Sequence, residues 1–343
     1  MAVSLALAGC GAPDNTVMLH SWEITAAPDD SYTIPEIGDS SWEDVKLPLS
    51  NALEEYESIF WVRTTFKLDP GKLGSPGKGL SLYIGRISDS DHTYVNGKLV
   101  GHTGSEPPQF HSTWNNHRAY QVPPGLLNAE GENQVYIRIY ADTILAFNNQ
   151  PFIANSEKVS GYLFFQNLKS WYIHIITGFI ALVLGITSLF EYLTDKKRKL
   201  PLVFSILCAG WFAITIHMYL PQTLLQYNIR EIFYFCLLVT ESVLIYLFME
   251  ELLGIRIKVL RIIVLVLGLI GIATAVSALF YGKLFGIRKL GITLMMTLMQ
   301  VSWALIIIRA LTSGNREARI VLVGYILFSH NHYTGCPDDH ACL

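Results

Sequence analysis

Polar and aromatic side chains suited to ligand or metal binding cluster in four stretches. The loop Ser105-Glu-Pro-Pro-Gln-Phe-His-Ser-Thr-Trp-Asn-Asn-His-Arg118 sets His111, Trp114, Asn115 and Asn116 close together among turn-forming residues. A flat aromatic face beside planar amides and an imidazole has the composition that binds a sugar, the ring stacking on its C–H side and the polar groups meeting its hydroxyls. Arg63, Asp89, Asp91, His92 and Glu106 join these as candidate ligand-binding residues, and Trp42 is expected to be structural, like Trp61. In Ser88-Asp-Ser-Asp91 the two carboxylates offer oxygens for a structural calcium. The same four residues also suit a solvated turn capped by its own side chains, and no other cofactor is expected. Further on, Glu241 falls inside the apolar run Phe235-Cys-Leu-Leu-Val-Thr-Glu-Ser-Val-Leu-Ile-Tyr-Leu-Phe248. His330, His332, Cys336, His340 and Cys342 crowd the C-terminal end, where soft ligands for zinc would sit, but their spacing matches no closed site and no metal is expected.

Catalysis finds little support. There is no G-x-S-x-G, H-E-x-x-H or P-loop. Carboxylates alternating on one turn do not define the separation across a cleft that glycoside hydrolysis needs. The chain carries a net charge of −3 and no broad basic face, which sets nucleic-acid binding aside.

The patterning that carries these side chains changes once along the chain. Up to about residue 165 the pattern is short alternating strands: FWVRTTFKL (60–68), LSLYIG (80–85), HTYVNGKLVGHTG (92–104) and NQVYIRIYA (133–141). Asn96-Gly97 supplies the positive-φ pair of a tight hairpin. No useful helical period interrupts the strands, so residues 20–165 are expected to form an antiparallel sandwich. The chain has five cysteines and none lies between 11 and 207, so no disulfide holds this part together.

Beyond Trp171, apolar runs of about 20 residues follow one another, each long enough for the hydrocarbon core. Full spans are expected at 171–193, 201–221, 230–249, 259–281 and 287–308, with a sixth starting near Ala318. Assigning the Lys196–Lys199 loop to the cytoplasm puts the excess of Lys and Arg inside and the N-terminal region outside. Glu241, costly if unpaired in lipid, reads as an interhelical or switch partner, and His217 as a candidate facing an outer cleft. Uninterrupted spans argue against a transporter, which would need broken helices or repeats around a midplane site.

SWEDVKLP (41–48), FWVRTTFKL, LSLYIGRISDSDHTYVNGKLVGHTG and GENQVYIRIY together resemble the galactose-binding-like jelly roll, as in the sugar-binding domain of family 2 glycoside hydrolases. The order of regions, an exported sandwich followed by a helical bundle with a short basic first inner loop, resembles the bacterial seven-transmembrane receptors with diverse intracellular signalling modules. The resemblance implies a multidomain chain: an all-β jelly-roll sandwich followed by an α-helical transmembrane bundle at 171–329. The protein would then sit in the bacterial inner membrane with its N-terminal domain extracytoplasmic. Its partners would be an extracytoplasmic small molecule or glycan, the lipid bilayer and, in a homodimer, a second copy. Leu7-Ala8-Gly9-Cys10 resembles a lipobox, which makes residues 1–19 a lipoprotein-like signal and linker with Cys10 the lipidated residue. The seventh helix and output module of those receptors lie outside this sequence, and residues 330–343 read as an aberrant polar tail. An envelope glycan-binding protein anchored by the bundle is the alternative.

Overall fold

A computed structural model describes residues 12–27, 32–34, 41–52, 58–68, 79–142, 144–217, 227–281 and 285–334. The chain forms two compact units, Met1–Ile173 and His174–Leu343.

The first unit is an antiparallel β-sandwich. Its strands among the described residues are β1 (Val17–Met18), β2 (Trp22–Ala26), β3 (Glu43–Val45), β4 (Leu49–Ala52), β5 (Ile59–Lys67), β6 (Leu80–Gly85), β7 (Ser90–Val95), β8 (Lys98–Thr103), β9 (Arg118–Val122), β10 (Glu132–Tyr140), β11 (Ile144–Phe147) and β12 (Phe152–Asn155). They pair as a six-stranded sheet, β3-β2-β5-β10-β7-β8, a four-stranded sheet, β1-β12-β6-β9, and the small pair β11-β4. Alternation decides what lies inside. Phe60, Val62 and Phe66 of β5 and Val135, Ile137 and Ile139 of β10 enter the core with Leu82, Ile84 and Ile153 of the other sheet. Trp61, Arg63, Tyr136 and Arg138 consequently occupy the outer face of the six-stranded sheet. The hairpin forms where expected: Asn96 and Gly97 have φ of 48° and 79°, and the Asn96 amide donates to the Leu126 carbonyl.

One element breaks the all-strand expectation for 20–165. Helix α1 (Ser156–Asn167) follows β12 directly. The Asn155 side chain caps it by accepting from the Glu157 N–H at 3.0 Å, and Glu157 places its charge in the first turn, where the helix dipole favours it. Val159 is buried against Tyr83, Phe152 and Ala154. A π-helical turn at Leu168–Tyr172 leads into α2 (Ile173–Thr194).

The second unit continues with α3 (Leu200–His217), α4 (Tyr227–Leu253), α5 (Lys258–Tyr281), α6 (Phe285–Thr312) and α7 (Glu317–Thr334). The apolar runs are helical among the described residues, and α7 runs on through His330 and His332, since helical backbone bonds are internal and do not require an apolar side chain. Helical stretches at Ser156–Thr194, Ile232–Leu253 and Lys258–Ser277 are long and apolar enough to cross a membrane. Ile180, Val183 and Phe190 of α2 and Val259 and Ile262 of α5 point their side chains outward, as lipid-facing residues do. Tyr246, Val264, Trp303, Ile306 and Ala318 form a core shared by α4 to α7. The protein is a multi-pass membrane protein with an extracytoplasmic N-terminal β domain. Near the C-terminal end of α4, the buried Glu250 accepts from the Tyr246 hydroxyl at 3.2 Å and faces Arg261 at 3.6 Å.

Candidate functional site

In the sandwich, the strand ends around β7, β9 and β10 fix the loop 104–117. Asp91 of β7 is 0% exposed and bonds to Arg118 of β9 at 2.8 Å. Arg118 Nη2 also donates to the carbonyls of Ile87, Ser88 and Thr113 and to Thr113 Oγ1. Thr93 and Tyr120 hydroxyls donate to the Asp91 carboxylate. Tyr120 reaches it by lying across Gly101, where a Cβ would overlap its ring. A buried carboxylate so fully occupied acts as the anchor of a clamp.

Asp89 makes the second clamp. Its carboxylate accepts from the Ser112 hydroxyl at 2.5 Å and the Asp142 N–H at 2.8 Å, while its carbonyl accepts from the Thr113 N–H. Burial pushes the Asp89 carboxyl above the usual range, against the opposing pull of those two donors. Backbone bonds in both directions between Ser105 and His111 close the base of the loop. Tyr140, in edge contact with Phe110, is pushed up to about 12, first by burial and then by Asp142, Asp89 and Glu106.

The clamped loop presents Trp114. It is 51% exposed, while Trp22, Trp42 and Trp61, the other tryptophans of the sandwich, are buried. Asn115 beside it is turned inward, and the buried Asn116 Oδ1 has no partner among the described residues.

Arg63 and His92 belong to a different place, the outer face of the six-stranded sheet. Strand register lays Trp61, Arg138, His92 and His102 in one row across four strands, and Glu23, Arg63, Tyr136 and Tyr94 in the next. Arg63 bonds to Glu23 at 2.5 Å and lies over the Trp42 ring. Arg138, 0% exposed, bonds to Glu106 and sits under Tyr32 at 4.2 Å. His92 stacks on His102, and burial followed by the His102 charge holds its imidazole below the usual range. Trp42 is thus a sheet-covering aromatic, packed with Trp61 and Tyr94.

No protein-family model and no curated protein matches the chain. Solved structures are similar to part of it. A beta-glucuronidase from Bacteroides uniformis shares 16% identity at a TM-score of 0.32, over 40% of this chain and 17% of that one. A beta-glucuronidase from Ruminococcus gnavus in complex with D-glucuronic acid shares 15% at 0.30, over 40% and 29%. A beta-D-mannosidase from Dictyoglomus thermophilum shares 18% at 0.25, over 37% and 16%. The chain spans less than a third of the length of each. Likeness this slight carries no ligand across.

The candidates therefore divide. Asp89, Asp91 and His111 build the loop that carries Trp114, and Arg63 and His92 serve the outer sheet face. Reasoning from sequence missed Arg118, Tyr120, Tyr32, His102 and Arg138. Strand alternation could have found the last two, because each is in register with His92. Cys10, Cys336, His340 and Cys342 lie outside the described residues, as do the side chains of His217, His330 and His332. Within the helical unit, Glu241 is 6% exposed and its carboxylate lies against Gly210 of α3, where a Cβ would overlap it.

Proposed function

We propose that this chain is the sensory and transmembrane part of a bacterial inner-membrane signalling receptor. The β-sandwich binds an extracytoplasmic carbohydrate or similar small ligand, and the helical region passes the change to a cytoplasmic output module. It is a binding and signalling protein and catalyses no reaction of its own. The exposure of Trp114 on a loop held by two buried clamps carries this reading. An indole left in water is a large apolar area available to a ligand, and a loop already ordered loses little entropy when the ligand arrives. A sugar ring stacked there would have the loop's backbone groups within the same turn for its hydroxyls. For signalling, the ligand must bind two arrangements of the protein with different affinity.

The full chain in detergent on a glycan array tests the ligand assignment. Binding to a defined glycan class is expected, with a loss of tenfold or more in Trp114→Ala, about 1.4 kcal/mol. A bare array, or binding that survives Trp114→Ala, rejects it.

A further inference from the structure

Between α2, α3 and α4 the helical unit holds a groove of about 340 Å³, within the range of small-molecule sites. Ala181 and Leu184 line it from α2, Phe204 and Trp211 from α3, and Glu241 and Ile245 from α4. Leu184 and Trp211 are exposed at its lips, so the groove opens where lipid would be. Glycines beside it set the helix spacing: Gly185 lets α2 approach Cys208, and Gly210 admits the Glu241 carboxylate against α3.

Glu241 is the acidic group of this otherwise largely apolar lining. It is buried, and among the described residues its carboxyl has no hydrogen-bond partner. A carboxylate in that position calls for a cationic donor, because a charge-assisted bond in a medium of low dielectric is the strongest compensation available. Trp211, also in the lining, favours the same chemistry, since an indole attracts an ammonium. The apolar walls call for hydrocarbon.

We propose that this groove is a binding site for a small lipophilic amine that enters from the bilayer. Glu241 accepts from its ammonium, and its chain lies along Ala181, Leu184 and Phe204. The site is separate from the sandwich and stands or falls independently of the sensory reading.

The test uses the full chain in phosphatidylcholine nanodiscs with a dodecylamine bearing a diazirine in its tail. After photolysis, labelled peptides are expected from 177–184 and 204–211, and excess dodecylamine is expected to suppress the labelling while dodecanol is not. Glu241→Gln, close to isosteric, is expected to weaken labelling tenfold or more, the scale of a hydrogen bond to a charged group. Ala181→Phe fills the groove while keeping the carboxyl and is expected to abolish it. Labelling spread over outward residues such as Val259 and Ile262, equal suppression by the alcohol, or labelling unchanged in either variant overturns the site. A disulfide-linked dimer through Ala181→Cys overturns it too, since a second copy would then fill the groove.

Discussion

Asn167 binds His117 at both ends of one residue's backbone: its side-chain oxygen accepts from the His117 N–H at 2.9 Å, and its amide donates to the His117 carbonyl at 3.3 Å. The end of α1 is thereby fixed to the loop that carries Trp114. At the other end of α1, Ser156 accepts from the Ser81 hydroxyl at 2.9 Å. Asn167→Ala removes both bonds and is expected to cost about 1–2 kcal/mol. Hydrogen exchange in the full chain should show faster exchange of the His117 amide and of residues 160–166, with the β5 and β10 amides unchanged.

The Arg118–Asp91 pair is fully buried, which makes the single substitutions asymmetric. Arg118→Leu strands a buried carboxylate and frees the loop at Ile87, Ser88 and Thr113, so a loss of about 3–5 kcal/mol is expected. Arg118→Leu with Asp91→Leu should recover part of that loss, because no charge is left unpaired. Thermal unfolding of the single and double variants measures the difference, and a double variant no more stable than the single would contradict the assignment.

His117 makes the sandwich sensitive to acid. Its Nδ1 is 2.6 Å from the Tyr83 hydroxyl, and burial, followed by the Arg86 charge, holds the imidazole down to about 3. The unfolded chain binds this proton more readily than the folded one, so the stabilisation is complete above the unfolded value of about 6.5. It is lost as pH falls from there toward about 3. Unfolding followed between pH 4 and 7 should show stability rising with pH by a few kcal/mol, and His117→Asn should flatten that rise. Asp89, whose folded value is raised, acts in the opposite sense: it favours folding below its unfolded value of about 3.9, and this contribution falls as pH rises through the folded value. Asp89→Asn should therefore steepen the net dependence in that interval.

Gly210→Ala places a methyl group on the Glu241 carboxylate. A loss of about 1–3 kcal/mol is expected from overpacking. Glu241→Ala in the same chain should restore most of it, a coupling that a double-mutant cycle reads directly.

Much of the architecture was legible because it follows from periodicity. Alternation in β5 and β10 and the Asn96-Gly97 turn announced the sandwich, and the apolar runs placed α2 to α6 within a few residues. Helix α1 was not legible as a separate element, because its weakly amphipathic sequence follows a strand without a break and only Asn155 and Glu157 mark its start. The site was legible in composition but not in grouping. Asp89 and Asp91 lie two residues apart and both are buried, Asp89 just before β7 and Asp91 within it, yet they hold different partners, Ser112 with the Asp142 backbone and Arg118 with Tyr120. Tyr32 meets Arg138 across more than a hundred residues, a pairing no local pattern encodes.

Ligand-dependent movement of the helices separates a receptor from a passive binder. A Cβ on Gly178 of α2 would lie 3.1 Å from that of Thr215 on α3, close to the disulfide range of about 3.5–4.5 Å. Gly178→Cys with Thr215→Cys, in a chain lacking its native cysteines, gives an oxidation rate that reports the α2–α3 spacing. In a receptor, the glycan selected on the array changes that rate several-fold in membranes, and Trp114→Ala abolishes the change. A rate indifferent to a glycan that demonstrably binds would contradict a sensory role and leave an anchored glycan-binding protein.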